Sequence, residues 1–412
     1  MITELEYKQR REKLSKKLAK NSITILFSAT PKQRSNDTEF PFRQNSNFYY
    51  LTGFKEDNSA LVILKSKKSV KTVLFVQKKD PIIELWNGKR IGVKDAKKRF
   101  LIDNIFSMDK FKKKLEIFSQ EKNVIYYDFS RKNRLFLKGV NHIITHKNIA
   151  DKIGFMRLIK SDAEIDLIQK AIDITALAHN RVLKLDKIGK NEYEIQAELE
   201  YIFKKNGAYN DAYTSIVASG NSANTLHYIE NNRSLQAGDL ILIDAGSEYE
   251  YYASDITRTI PVSKTFLPPQ EALYNLVLSV EKKIINMIKP NVKRTTLQKR
   301  AIKLLTQGMI ELGILKGEYK KLIKQEKYKK YYPHGIGHWM GLDVHDESPY
   351  RYKNSKEIAL QKGMILTIEP AIYIDENDMD VPKEYRGIGI RIEDDILVTA
   401  DGYKNLSINI EK

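Results

Sequence analysis

The stretch YYPHGIGHWMGLDVHDES, residues 331–348, holds His334, His338 and His345, three of only seven histidines in the chain. Histidines gathered this closely point to metal ligation, and the i, i+4 pair His334/His338 suggests a helical zinc site first. That arrangement needs a glutamate between the two on a helix. Here Gly335, Ile336 and Gly337 intervene and Pro333 precedes them, which makes a poor helix interior. The pair is therefore expected on extended or looping chain, and any other ligands must come from elsewhere.

Three β-like segments offer carboxylates. In DLILIDAGSEYEYYASDITRTIPV, residues 239–262, the apolar run Leu240–Ile243 ends at Asp244. A turn through Gly246 and a returning strand would bring Asp255 beside it. In ILTIEPAIYI, alternation puts Thr367, Glu369 and Tyr373 on one face, opposite Leu366, Ile368 and Ile372. In GIGIRIEDDILVT it puts Arg391, Glu393 and Asp395 opposite Ile388, Ile390 and Ile392. A lone strand-end aspartate is ordinarily a turn former or a surface residue. Apolar strands interrupted by charge resist that explanation, because burying an unpaired carboxylate costs several kcal/mol. Four such acids beside a histidine cluster read most economically as a two-metal site.

The elements that must position these residues fall into two groups. Over roughly the first 150 residues, β-branched runs at 22–28, 60–65, 72–77 and 123–128 alternate with lysine-rich helical segments, the pattern of an α/β domain. A change comes near residue 160. Ser161 and Glu164 form a capping box ahead of an apolar stripe at Ile165, Ile168, Ile172 and Ala176. Helices are expected from Asn191 to the Asn206–Gly207 stop, and at about 268–289 and 295–312. Grouped helices with long, mostly antiparallel strands indicate an α+β second domain.

Composition narrows the function classes. At 412 residues the chain has room for two or three domains, and its 42% hydrophobic content is ordinary for a globular protein. No apolar run reaches the ~18 residues of a membrane span. The charged N-terminus, MITELEYKQRREKLSKK, lacks the apolar stretch of a signal peptide. A cytoplasmic location is the expectation. With no cysteine, any metal must be held by His, Asp, Glu or water. The net charge of +18 invites a nucleic-acid partner, yet only 17 of the 70 basic residues are arginine and the lysines are scattered. A solvated surface explains them better. The densest basic run, KKLIKQEKYKKYY at 320–332, is expected to be a mobile surface loop.

Asp244 in IDAG, Asp255 in SDITRT, His338 in HGIGHWMGLDVH, Glu369 in TIEP and Glu393 in GIRIEDD resemble, in order and spacing, the five-ligand pattern of the pita-bread metallopeptidases. Over its whole length the chain is similar to the Xaa-Pro aminopeptidases (aminopeptidase P) of that superfamily. PFRQNSNFYYLTGF, residues 41–54, resembles their N-terminal module, and their DVHD recurs at 343–346. Ser254 departs from the glycine that many relatives carry there. The resemblance implies an α/β N-terminal domain at 1–155 and an α+β pita-bread catalytic domain at 156–412, a creatinase/aminopeptidase P-like architecture.

The same resemblance implies two divalent ions per subunit, manganese first, with cobalt or zinc as substitutes. Asp255 and Glu393 would bridge them, Asp244 would complete one shell, and His338 and Glu369 the other. The implied reaction is hydrolysis of the bond between an N-terminal residue and a following proline, by attack of a metal-bridging hydroxide. Glu369 would pass a proton to the leaving nitrogen, and His227 and His345 would polarise the carbonyl or stabilise the tetrahedral intermediate. His334, Tyr213, Tyr373 and Arg391 would line the site near the proline. Trp86, in LWNGKR, matches a tryptophan that in several relatives reaches a neighbouring subunit's active site, so a homo-oligomer, dimer or tetramer, is expected. Expected partners are peptides with proline in second position, with no nucleic acid and no membrane. The nearest rival is a prolidase restricted to Xaa-Pro dipeptides, and Arg391 is then the candidate cation for the dipeptide's carboxylate. Metal-free pita-bread proteins lose ligands that stand here, and methionine aminopeptidases are shorter. His142, His146 and His179 carry no assignment beyond surface or core packing.

Overall fold

The computed structural model describes residues 1–130, 133, 137 and 145–412; His142 lies outside them. The described chain forms two compact units, Met1–Met156 and Arg157–Lys412.

In the first unit the β-branched runs do form strands, joined by two that carry too little apolar signal to stand out. The six-stranded sheet runs in the order Asn104–Ser107, Val70–Val76, Ala60–Lys65, Ser22–Phe27, Val124–Tyr127, Thr145–Asn148. The central strand Ser22–Phe27 pairs antiparallel with Ala60–Lys65 and parallel with Val124–Tyr127. Its residues are buried on both faces apart from the last, which is why it reads as a continuous apolar run instead of an alternation. Ile23, Ile25, Val62, Val73 and Phe75 pack with Phe111 and Leu115 of the helix Phe111–Ser119 into the core. The short helix Pro81–Asn87 buries none of its residues, and Trp86 on it is 82% exposed.

The second unit is α+β. Helix Asp162–Leu183 begins at the expected capping box, with Ser161 Oγ accepting from Glu164 N and Glu164 Oε2 accepting from Ser161 N. Helices Glu192–Lys205, Pro268–Ile285 and Arg294–Glu311 follow. The strands are antiparallel as expected but short. Ile216–Ser219, Leu240–Asp244 and Thr257–Pro261 make one three-stranded sheet, and Ile365–Ile368, Asp394–Val398 and Tyr403–Asn405 another. Ala371–Tyr373 pairs with Gly389–Arg391. The expected long strands break at Glu369–Pro370, where proline cannot donate to a ladder, and at Ile392–Glu393, where Glu393 bridges to Thr257 of the other sheet.

Two expectations need correction. The basic run at 320–332 is not a loop. Tyr319–Lys324 is a helix and Lys327–Lys330 a 3-10 turn, anchored by buried Leu322, Tyr328, Tyr331 and Tyr332 while the lysines face outward. The chain between Asp244 and Asp255 is also more than a turn through Gly246. It forms its own hairpin, Ser247–Tyr249 with Tyr252–Ala253, turned by Glu250 and Tyr251 in left-handed conformation. Among the described residues no helix is long and apolar enough to cross a membrane.

Candidate metal centre

The site assembles at strand ends. Asp244 is the last residue of its strand, paired with Thr257, and Asp255 lies two positions ahead of that partner strand. Gly246 lets the two segments close up: a Cβ there would fall 1.9 Å from the Ser254 carbonyl oxygen. Ser254 itself is wired into this corner. Its hydroxyl sits 2.7 Å from the Thr175 hydroxyl and accepts from Ser247 N. Gly337 makes a second close approach, since a Cβ would meet the Thr367 carbonyl oxygen at 1.8 Å. Thr367 N donates to the His338 carbonyl at 2.9 Å and so presses the histidine segment against the strand that leads to Glu369. Neither His334 nor His338 is helical.

One cavity of about 550 Å³ is lined by Asp244, Asp255, His338, Glu369 and Glu393, and also by Tyr213, His227, His334, His345, Tyr373 and Arg391. A groove of about 720 Å³ along Ile314–Tyr331 is larger, but its lining mixes lysines, acids and apolar residues and offers no cluster of ligating groups. The cavity does. Ligand atoms of Asp255, His338 and Glu393 lie within 4.8 Å of one another. His338 Nε2 stands 3.2 Å from Asp255 Oδ2 and 3.8 Å from Glu369 Oε1.

Two of the carboxylates are aimed by neighbours. Asp244 accepts from the Tyr213 hydroxyl and from Arg391 Nη2, each at 2.6 Å. Glu393 accepts from the Thr257 hydroxyl at 2.7 Å, and Asp395 Oδ2 accepts from Asp255 N at 3.0 Å. All three Arg391 nitrogens are engaged: the other two donate to the Tyr373 hydroxyl at 2.8 Å and to Thr257 Oγ1 at 3.2 Å. It therefore orients a site carboxylate. The Tyr373 hydroxyl also meets His334 Nε2 at 3.0 Å.

Charge explains what this cavity is built to accept. Burial, then Asp255 and other nearby acids, pushes the Glu393 carboxyl far above its usual range. Burial pushes Glu369 up to about 7 and raises Asp244 despite Arg391. His338 is drawn up to about 9, because the Asp255 hydrogen bond and the surrounding carboxylates outweigh its burial. Burial instead holds His334 down to about 4. Four acids, three of them buried, face two guanidinium groups and one imidazole, and the excess of negative charge is what divalent cations satisfy. The donor set of four carboxylates and one imidazole suits harder ions such as manganese. The residues present thus fit divalent metal.

Of the remaining histidines, His179 is buried with Nε2 3.0 Å from the Ala245 carbonyl, and exposed His146 rests against Tyr127. Sequence reasoning missed Arg294, which lines the cavity from the head of a helix some forty residues upstream of the histidines. No motif marks it.

Comparison with known proteins agrees with this architecture. The pattern of metallopeptidase family M24 matches residues 166–400, and that of the aminopeptidase P N-terminal domain matches residues 7–126. The chain belongs to metallopeptidase family M24. It is accordingly a hydrolase of the pita-bread fold, and its first unit is of the aminopeptidase P type. A Xaa-Pro aminopeptidase from Haemophilus influenzae is 41% identical, the match covering 99% of this chain and 95% of that protein. The structure of proline aminopeptidase P II from Yersinia pestis superposes with a TM-score of 0.96 at 38% identity, covering 100% and 97% of the two chains. Zinc-substituted aminopeptidase P from E. coli, in complex with product, gives 0.95 at 35% identity over 100% and 96%.

Proposed function

We propose that this M24 hydrolase is a Xaa-Pro aminopeptidase that removes the N-terminal residue from peptides with proline in second position, using two divalent ions held by Asp244, Asp255, His338, Glu369 and Glu393. The observation that carries the reading is the convergence of three buried carboxylates, the part-buried Glu369 and one imidazole on a single cavity. In this assignment Asp244, Asp255, His338, Glu369 and Glu393 would hold the ions. Once bound, the ions supply Lewis acidity and a nucleophilic water of lowered pKa.

The chain's own residues do the rest. Arg391 and Tyr213 fix the Asp244 carboxylate, while Thr257 fixes Glu393. Hydrogen bonds of this kind set the direction of those two ligands' lone pairs. His338 must give up the proton its acid neighbours draw to it, so ion binding releases protons. Glu369, beside His338, is placed to pass a proton to the leaving nitrogen. Proline's nitrogen carries no N–H in the substrate, so the pocket must recognise a ring. The linked group His334, Tyr373 and Arg391 forms a rigid wall for it. His227 and His345 are exposed on the cavity, where an N–H can stabilise oxyanion charge. Manganese is the proposed ion, and a cytoplasmic homo-oligomer is the proposed working form.

The test is hydrolysis of Ala-Pro, Ala-Pro-Ala and Ala-Ala-Ala by EDTA-treated protein, before and after manganese. Metal-dependent release of alanine from Ala-Pro-Ala, at least as fast as from Ala-Pro and far faster than from Ala-Ala-Ala, is expected. Cleavage of Ala-Pro with Ala-Pro-Ala left intact would make the protein a prolidase. Full activity with fewer than two ions per chain would overturn the paired-ion assignment.

A further inference from the structure

One cation on the cavity wall has no part in the arrangement above. Arg294, the first residue of helix Arg294–Glu311, lines the cavity that holds Glu369 and His334. Its guanidinium lies over the Tyr350 ring, 4.5 Å from the centroid, and Nη1 donates to the Gly337 carbonyl at 2.9 Å. Nη1 also closes on Gly335, where an added Cβ would meet it at 3.3 Å. Stacking and one hydrogen bond hold the head of a long side chain in a fixed position, with most of its five N–H donors unspent. Among the described residues no carboxylate pairs with it.

The contrast with Arg391 is chemical. Arg391 is buried and each of its three nitrogens already donates to Asp244, Tyr373 or Thr257. Arg294 is only half-buried and presents a planar fork that matches a carboxylate. It also lies against the 334–338 segment, the side of the cavity where His334 and Tyr373 are assigned to the proline. An anionic group on the departing peptide would be repelled by the site's own acids and finds its complement at Arg294.

We propose that Arg294 forms a carboxylate subsite for the part of the peptide beyond the proline. The subsite takes either the peptide's own C-terminus, which favours short peptides, or an Asp or Glu side chain following the proline. This rests on the Xaa-Pro reading and extends it from the proline to what comes after. Arg294 acts here as a specificity residue, read through KM.

The experiment compares the manganese-loaded wild type, Arg294→Gln and Arg294→Lys on two matched pairs. Ala-Pro-Ala against Ala-Pro-Ala-NH2 reports the terminal carboxylate; Ala-Pro-Glu-NH2 against Ala-Pro-Gln-NH2 reports the side chain. In the wild type the acidic member of at least one pair should have a KM about tenfold lower, the size of one charge-assisted hydrogen bond. That ratio should collapse toward one in Arg294→Gln and survive in part in Arg294→Lys, with the kcat ratio unmoved. Calorimetric binding of Pro-Ala against Pro-Ala-NH2 repeats the comparison without turnover. Ratios near one in the wild type, or an equal preference in Arg294→Gln, would overturn the subsite and leave Arg294 as a prop for Gly337. Peptides that are not cleaved, with the charge preference of Pro-Ala binding intact and lost in Arg294→Gln, would sink the Xaa-Pro reading and leave the subsite standing.

Discussion

Removing the Lys412 ammonium should unsettle the buried acids behind the metal centre. Lys412 Nζ lies 2.6 and 2.7 Å from the two Glu281 carboxylate oxygens and 2.6 Å from Asp394 Oδ2. Both acidic side chains are wholly buried, while the lysine is 18% exposed. Arg258 takes the other Asp394 oxygen at 2.8 Å and donates to the Glu393 carbonyl at 2.7 Å, so the network backs onto the site. Lys412→Met keeps most of the stem and removes the charge. Breaking a buried pair in this way costs about 3–5 kcal/mol, because an unpaired carboxylate stays behind. The loss should depend on pH. Burial, then the nearby Asp394, pushes Glu281 up from 4.5 to about 7. A raised folded-state pKa means the folded chain holds more protons between those values than the unfolded chain. The group's stabilising contribution is therefore full below its unfolded pKa and is lost as pH rises through about 7, roughly 3 kcal/mol in all. Near pH 5 Glu281 is neutral and needs Lys412 little; near pH 8 it is charged and needs it fully. Urea unfolding of metal-free protein should show the whole penalty of Lys412→Met near pH 8 and a clearly smaller one near pH 5. Adding Glu281→Gln should recover part of the loss near pH 8. Equal losses at both pH values, or none in a folded variant, would refute the network as their source.

Three further outcomes are expected. Glu393→Ala should abolish turnover while circular dichroism stays native; Ile390→Ala, at a fully buried neighbour on the same chain segment, should instead cost about 2–5 kcal/mol in unfolding free energy. Turnover that persists in purified Glu393→Ala would contradict the ligand assignment. Burial holds His179 down to about 4 from 6.5, so its contribution to stability is present above the higher value and lost as pH falls toward the lower, about 3 kcal/mol; His179→Gln should flatten that limb of the stability curve. Trp86 is exposed beside exposed Ile82 and Leu85, and in the proposed oligomer Trp86→Ala should raise KM, an expectation that a fully active monomer by analytical ultracentrifugation would end.

What the sequence could and could not announce follows from how each feature is held. Ser22–Phe27 and Leu240–Asp244 were legible because strands buried on both sides need unbroken apolar, β-branched chain. The sheet's other members, Asn104–Ser107 and Thr145–Asn148, were not, because edge strands can be short and polar. Alternation put Arg391, Glu393 and Asp395 on a common face; Arg391 and Glu393 do line the cavity, Asp395 does not, and the pattern hid the break between them. Period-2 patterning runs straight through a point where the chain leaves one strand partner for another. That break is where the chemistry sits. Glu393 leaves the ladder of Ala371–Tyr373 and bridges to Thr257 before the chain enters the ladder of Ile365–Ile368. Glu369 occupies the matching gap between those same two partner strands. A carboxylate at such a gap is free of the pleat's up-and-down constraint, so acids from different sheets can turn toward a common centre, which a continuous strand would forbid. The lysine-rich run at 320–332 misled for the opposite reason: Leu322, Tyr328, Tyr331 and Tyr332, four anchors among many charges, decide its structure. Arg294 is the harder lesson. A helix-leading arginine reads as solvated surface in any sequence, and only the approach of Tyr350 and Gly337 from distant segments turns it toward the cavity.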